Sequence, residues 1–344
     1  MPVATGNSLK AICSAVIISF FILPVSCAKG RDSVYRKSRI VMDTIVTVSA
    51  VAADEKNADT AIGAAFAEIE KLDRLLNFFS DKSELSAINR NAGISAVRVS
   101  PETLEVIEKA IYASEHTAGA FDATIGPEIS QWDFVKKKRP DDASIKKRLP
   151  LVNYRMIKIN RKESSVYLEK KGMLLDLGAI AKGFAADKAV DELKKNGIRA
   201  GLVAVAGDIR AFGLKPDGKG WIIGIQNPRA TNSADEIIAT IELKDKAIST
   251  SGDYQRFFII NGKRYHHLLD PKTGCPARGC ESVSVIADDG VSTDSFSTGV
   301  FILGPEKGMA VLKKMGFEGL IISGNGRINT TPGLKDKIEF KRNH

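Results

Sequence analysis

The stretch that decides the fold is SVSVIADDGVSTDSFSTGVFIL, residues 282–303. It opens with the strand-like apolar run Ser282–Ala287, turns through Asp288-Asp289-Gly290 and closes in the apolar Val300–Leu303. Between them lies Asp294-Ser295-Phe296-Ser297-Thr298. On a helix, residues i and i+4 share a face, so the Asp294 carboxylate and the Thr298 hydroxyl would point the same way. That pair suits a small oxygen-seeking cation such as Mg²⁺, which keeps several waters and borrows phosphate oxygens from a substrate. A helix-start Asp and a Thr bonded back to its own helix explain the same residues without a metal.

Upstream, Arg39–Val51 is rich in β-branched residues and predicts a strand interrupted at Met42-Asp43-Thr44. Residues 59–79 carry Ile62, Phe66, Ile69, Leu72 and Leu76, the period of an amphipathic helix. Ser100-Pro101 starts a second helix that Gly119 can end, and residues 181–196 form a third, closed by Gly197. Residues 154–175 alternate like a hairpin, and 201–206, 221–226 and 236–243 predict strands. Asn261-Gly262 marks a tight hairpin within 257–269. Pro305–Met315 predicts a helix stopped by Gly316, and 317–328 a hairpin around Gly324-Asn325-Gly326. Helices and strands mix without βαβ alternation, so the fold class is α+β, with antiparallel-rich sheets packed against helices. Residues 39–344 form one domain, in which the polar stretch 136–148 is a surface insertion.

The 344 residues carry a net charge of +9, but lysine and arginine are spread along the chain. The runs Lys136–Arg139 and Lys146–Arg148 lack interleaved aromatics and predict solvated surface, not a nucleic-acid face. A basic surface favours anionic small molecules or an anionic membrane. Near the start, Lys10 precedes the apolar run Ala11–Val25, too short for a comfortable transmembrane helix. It ends in Leu23-Pro24-Val25-Ser26-Cys27, which resembles a bacterial lipoprotein signal with Cys27 lipidated; plain secretion is the alternative. Residues 1–27 are then a signal sequence and 28–38 a tether. Of the other cysteines, Cys275 and Cys280 can pair in an oxidising compartment, though their spacing does not demand it. No histidine forms a zinc pattern with them.

Four further segments are more polar and glycine-rich than a core requires. Residues 117–126, TAGAFDATIG, allow close approach to a flat ligand, or simply cap a helix and make an Asx turn. Residues 176–187, DLGAIAKGFAAD, run from strand to helix and would offer free N–H groups to an anion beside Lys182. They match neither the Walker nor the dinucleotide pattern, so a structural junction also fits. Thr250–Tyr254 predicts a tight polar turn before a strand. His266 and His267, adjacent on a strand, would face opposite ways, with His267 bordering the Asp270–Gly274 turn.

In order, these segments resemble the FAD:protein FMN transferase family, also called the ApbE family. Met42-Asp43-Thr44 is similar to its M-G-T, with Asp in place of Gly. Leu72–Arg74 and Ser83–Ser86 with Asn89 resemble its helix and S-E-L-S turn. Gly119–Asp122 matches G-A-F-D, and Asp176–Asp187 resembles D-L-G-[GA]-I-A-K-G-[YF]. Thr250–Tyr254, His267–Gly274 and Asp294–Thr298 resemble T-S-G-D-Y, H-[IL]-[IL]-D-P-x-T-G and D-[AS]-x-[ST]-T. The turn Asn77–Asp81 departs from the S-T-Y-like turn common in the family.

The resemblance implies a T-fold-like architecture and an enzyme that binds FAD and one or two Mg²⁺. It would transfer FMN to a Thr or Ser hydroxyl and release AMP. Asp294 and Thr298 would hold the metal with the carbonyl of Ala179. Met42, Ala120, Phe121, Asp122, Asp176, Lys182 and Thr273 would position FAD. His267 is the candidate base and Asp294 its rival. Implied acceptors are periplasm-facing subunits of Rnf or sodium-translocating NADH:quinone reductase complexes carrying a D-G-x-T/S-G-A-T-like motif. A lipid anchor at Cys27 would hold the enzyme at the periplasmic side of the inner membrane. Two other readings stand beside this one: a Mg²⁺-dependent FAD pyrophosphatase using water, and a flavin-binding lipoprotein without activity.

Overall fold

The main sheet runs through the chain in order. A computed structural model describes residues 32–230 and 236–341. Its largest sheet contains β1 (Ser33–Val41), β2 (Thr44–Ala52), β3 (Gly201–Val205), β4 (Asp208–Phe212), β5 (Ala247–Gly252), β6 (Cys280–Ala287), β7 (Glu318–Ser323) and β8 (Ile328–Thr330). Each strand pairs antiparallel with the next in sequence. The fold is therefore a meander with long insertions, α+β as expected.

Five helices pack on this sheet or frame the site: α1 (Glu55–Leu76), α2 (Pro101–His116), α3 (Ala181–Lys195), α4 (Gly290–Leu303) and α5 (Pro305–Met315). Val46, Val48, Val203, Val205, Val283 and Val285 bury one sheet face with apolar residues of these helices, including Phe66, Phe184, Phe296 and Leu312. Ile248, Ile286, Leu320 and Ile322 bury the other face against a three-stranded sheet of residues 221–226, 237–243 and 338–340. A strand covered on both sides has no solvent face, which is why every residue of β6 is buried. Truncating a fully buried ring such as Phe296 would cost roughly 3–5 kcal/mol.

Several local signals read as expected. Ser100 caps α2, accepting from the Thr103 N–H, with Pro101 in the first turn. Asn261 and Gly262 both take positive φ, 49° and 73°, in the hairpin turn between strands 257–260 and 263–266.

Other boundaries need correction. Residues 33–38, expected to be tether, are part of β1 and pair with β2. The remainder of the tether to residue 31, the signal sequence and Cys27 lie outside the described residues. The insertion 136–148 is anchored: Asp142–Arg148 is a short helix whose Ile145 is buried in a cluster with Trp132, Phe258 and Tyr265. Thr250–Gly252 is not a turn but the end of the central strand β5. Its hydroxyls are satisfied by other hydroxyls, so polarity did not mean exposure. Cys275 and Cys280 are free thiols, and burial pushes Cys280 up to about 12. Among the described residues no helix is long and apolar enough to cross a membrane.

Candidate active site

The site forms where α3 meets α4. Asp289 caps α4, accepting from Ser292 N–H at 2.7 Å, so Asp294 is not its cap. Asp294 and Thr298 lie in the body of the helix, 3% and 8% exposed. Ser297 and Ser295 bond back to helix carbonyls. The Thr298 hydroxyl instead lies 3.2 Å from that of Ser251 on β5. Local capping and back-bonding therefore do not account for this pair.

The two helices touch because both are glycine at the crossing. A Cβ on Gly290 would come within 2.6 Å of the Gly183 carbonyl oxygen. Asp187 ties the crossing, accepting from the N–H groups of Gly290 and Val291 at 2.7 and 2.8 Å, with Arg210 at 3.3 Å. Burial pushes the Asp187 carboxyl up to about 6.

At this crossing the Lys182 ammonium sits among oxygens. It lies 2.9 Å from Asp208 Oδ2, 3.3 and 3.4 Å from the Asp294 oxygens and 3.2 Å from the Gly178 carbonyl oxygen. Burial alone would lower its pKa, but Asp208 and Asp294 outweigh it and raise it. With both carboxylates ionised the trio carries one net negative charge in a buried place. The Asp294 carboxyl is accordingly pushed up to about 7, first by burial and then by Asp208, against the pull of Lys182.

The start of α3 holds a further correction. Its N–H groups were expected to await an external anion, yet Gly183 N–H donates to Asp294 Oδ2 at 3.0 Å. In a continuing helix that N–H would have reached Ala179, four residues back. Here the Asp294 carboxylate takes that N–H in place of the Ala179 carbonyl.

These groups fit a hard cation. Among the described residues no three His, Cys, Asp or Glu side chains could hold a metal together. A metal here must take a carboxylate, a hydroxyl and a backbone oxygen, the donor set that Mg²⁺ accepts. An ammonium already occupies an oxygen-lined, negatively charged pocket, which is the observation that favours the fit.

Around this centre the structure gathers some expected residues and leaves others apart. The Asp176 N–H donates to the Ala123 carbonyl, joining the 117–126 segment to the start of 176–187. Burial raises the Asp176 carboxyl, opposed by the Gly178 N–H, Arg256 and Lys182. His267 stands at a bend after the strand that ends at His266, not on that strand. Its ring is held neutral, its pKa lowered to about 3 by burial, Arg256, His266 and Lys182, although the residue keeps some solvent exposure. His266 turns inward, its Nε2 3.0 Å from the Ala277 carbonyl and its ring edge-on to Phe301. Phe121 packs against α4 at Gly299, next to Thr298. Ala120 is buried beside it.

Asp122 is occupied structurally: it accepts from Thr124 N–H and hydroxyl and from Tyr154 N–H at 2.8, 2.6 and 2.9 Å. Met42 lies on the β1–β2 turn with φ 55°, its N–H reaching Asp73 at 3.4 Å. Asp73 also accepts from the Asn77 amide, which links that turn to the Asn77–Ser80 loop. Thr273 is exposed on the 270–274 turn, and it hydrogen-bonds to its neighbours Asp270 and Cys275.

Asp208 and Arg256 were not among the residues expected at this centre, and Ser251 was expected only as part of the Thr250–Tyr254 turn. Asp208 and Arg210 alternate with Ile209 and Ala211, a period-2 signal that could have revealed β4.

Comparison with known proteins agrees with this geometry. The ApbE family model matches residues 42–321. An FAD:protein FMN transferase of Treponema pallidum is 32% identical over 91% of this chain and 91% of its own length. One of Klebsiella pneumoniae is 34% identical, covering 82% and 87%. The crystal structure of the ApbE protein of Thermotoga maritima superposes with a TM-score of 0.83 at 32% identity, covering 89% of this chain and 99% of that one.

Proposed function

The chain belongs to the ApbE family, and from that premise we propose that it transfers the FMN half of FAD to a Thr or Ser hydroxyl of an acceptor protein, releasing AMP. One observation carries the reading: a lysine and two carboxylates meet at a glycine-lined helix crossing beside a hydroxyl. That centre suits a pyrophosphate and its counter-cation.

The reaction forms a bond between the acceptor oxygen and the phosphorus of the FMN phosphate. The bond from that phosphorus to the bridging oxygen breaks, AMP departs with the electron pair, and the acceptor proton is taken up by a base. Such transfer needs charge neutralisation and alignment above all. Lys182 and Arg256 supply positive charge for the phosphates. Asp176 and the buried Ala120-Phe121 pair shape the cradle, while Met42 and Thr273 contact FAD from its edges. Asp294, Thr298 and the Ala179 carbonyl would hold Mg²⁺, which when bound would neutralise the pyrophosphate. His267 is neutral at physiological pH and takes the acceptor proton; an arriving pyrophosphate would raise its basicity by opposing Arg256 and Lys182. Asp294, if it held the metal, would be the poorer base, because a bound cation would lower its affinity for a proton.

Acceptors of this reading are periplasm-facing flavin-carrying proteins with a D-G-x-T/S-G-A-T-like segment, such as Rnf or sodium-translocating NADH:quinone reductase subunits. The Leu23–Cys27 segment supports export and lipid anchoring at Cys27, on the periplasmic side of the inner membrane. Cys27→Ser should release the protein from membranes; retention of the variant there would refute the anchor.

Hydrolysis is the second reading, and the Asn77–Ser80 loop favours it. Phe79 there is 81% exposed, leaving that rim open to water. Incubation with FAD, Mg²⁺ and a D-G-x-T-G-A-T peptide decides the matter by mass spectrometry. A peptide heavier by FMN supports transfer. An unmodified peptide beside free FMN and AMP defeats it in favour of hydrolysis. Asp294→Ala should abolish AMP release, and a fully active variant would remove Asp294 from the site.

A further inference from the structure

We propose that the Lys182 ammonium occupies the metal's place in the FAD-free protein, and that Asp208 is the berth that keeps it when Mg²⁺ takes over Asp294. The inference rests on the metal site proposed above, but it concerns two residues of this chain that the metal does not ligate.

The distances set up the exchange. Lys182 is closer to Asp208, at 2.9 Å, than to Asp294, at 3.3 and 3.4 Å. It also reaches the Gly178 carbonyl, the neighbour of the carbonyl that would ligate the metal. A divalent cation and an ammonium cannot share the Asp294 oxygens, because like charges so close repel strongly in a buried setting. The lysine need not leave the site to yield. Asp208 lies on β4, 5% exposed, and belongs to the sheet, whereas Asp294 belongs to α4. Giving up the longer contact and keeping the shorter one leaves an ammonium paired on one side and free on the other.

That free side explains why a lysine serves here and not an arginine. A compact ammonium on a flexible stem can change partners without a fixed fork geometry. Once released from Asp294 it can donate to a phosphate oxygen, so metal and a pyrophosphate ligand would each favour the other's binding. In the absence of both, Lys182 keeps the two buried carboxylates from facing each other unpaired.

The test is Mn²⁺ binding to the FAD-free protein, measured as free Mn²⁺ by electron paramagnetic resonance. Removing an internal competitor should tighten binding, so Lys182→Met is expected to lower the Mn²⁺ Kd at least tenfold. Unchanged or weaker binding would overturn the proposal. Asp208→Asn should weaken Mn²⁺ binding at least fivefold when Lys182 is present, since the lysine then leans on Asp294 alone. In the Lys182→Met background the same substitution should do markedly less. Equal weakening in both backgrounds would make Asp208 a direct partner of the metal and refute its role as a berth. Should Lys182→Met lose its native circular dichroism, Lys182→Gln carries the same comparison. Asp294→Ala with parental Mn²⁺ affinity would instead refute the metal site itself, whatever the lysine does.

Discussion

Adding one methyl group at Gly183 should damage this protein more than its size suggests. A Cβ built there falls well inside 3.0 Å of the Gly290 carbonyl oxygen and 2.8 Å from the Asp294 Cβ. Neither neighbour can rotate away, because one is backbone and the other the root of a side chain already fixed by the Gly183 N–H and Lys182. Restoring ordinary contact with that oxygen, near 3.5 Å, moves α3 and α4 apart by about 1.5 Å. Overpacking of this kind costs about 1–3 kcal/mol, and a clash with backbone belongs at the upper end. Alanine recovers about 1 kcal/mol of helix propensity, leaving a net loss near 2 kcal/mol. For a domain of this size that is a fall in Tm of roughly 4 °C. The catalytic loss should be larger, since misplacement by about 1 Å can cost about 100-fold in rate. The assay is AMP release from FAD beside a thermal melt. Gly63→Ala is the control: it lies in α1 with nothing within 4 Å of the new methyl, and should raise stability by up to about 1 kcal/mol. A Gly183→Ala protein with parental Tm and turnover would refute the close crossing of α3 and α4 and the site built on it.

His267→Ala should cut flavin transfer by about 100-fold or more while leaving FAD binding, read by flavin fluorescence, within a few-fold; parental transfer would move the base elsewhere. Glu128 yields a pH prediction outside the centre. It has no exposed surface, neither carboxylate oxygen has a hydrogen-bond partner among the described residues, and Gly274 packs against it. Burial pushes its carboxyl up to about 7, and the positive charge of Arg148 only partly opposes this. The folded state thus holds a proton that the unfolded chain releases, a contribution complete below the ordinary glutamate value of 4.5 and lost as pH rises through about 7. The Glu128→Leu variant should therefore gain in relative stability as pH rises from about 4.5 through about 7 and level off above that, by about 1–3 kcal/mol, the cost of an unsatisfied buried group. Chemical denaturation at about pH 6 and about pH 8 checks it, and a stability difference that does not change with pH would refute the buried ionisation.

The parts of the fold that were legible in sequence are those where local chemistry and tertiary role coincide. Ser100-Pro101 caps α2, Gly197 and Gly316 follow α3 and α5 with positive φ, and Asn261-Gly262 turns a hairpin. In each case a backbone requirement selects the residue, and neighbours a few positions away satisfy it. The start of the first strand was missed for the opposite reason. Residues 33–38 are almost entirely exposed on an edge strand, so they carry no apolar alternation, and only their ladder to β2 makes them sheet.

The centre of the site was hidden by a stricter version of the same rule. Ser249, Thr250 and Ser251 are polar in succession, which reads as a turn if polar groups need water. Inside the protein they need only partners: Ser249 meets Thr293 at 2.8 Å, Thr250 meets Ser284 at 2.7 Å, and Ser251 meets Ser297 at 2.9 Å. Two of these three contacts join β5 to α4, so the hydroxyl ladder is what sets the register of the helix carrying Asp294 and Thr298. Asp208 and Arg210 disguised β4 likewise, because the charges that satisfy them, Lys182 and Asp187, sit on one turn and the next of α3. A polar residue whose partner is distant in sequence looks like surface until the fold brings the two together. The Asp294–Thr298 spacing escaped that fate because its two members are on one helix. Its meaning as a site still required Ser251, Lys182 and Asp208, contributed by three other segments of the chain.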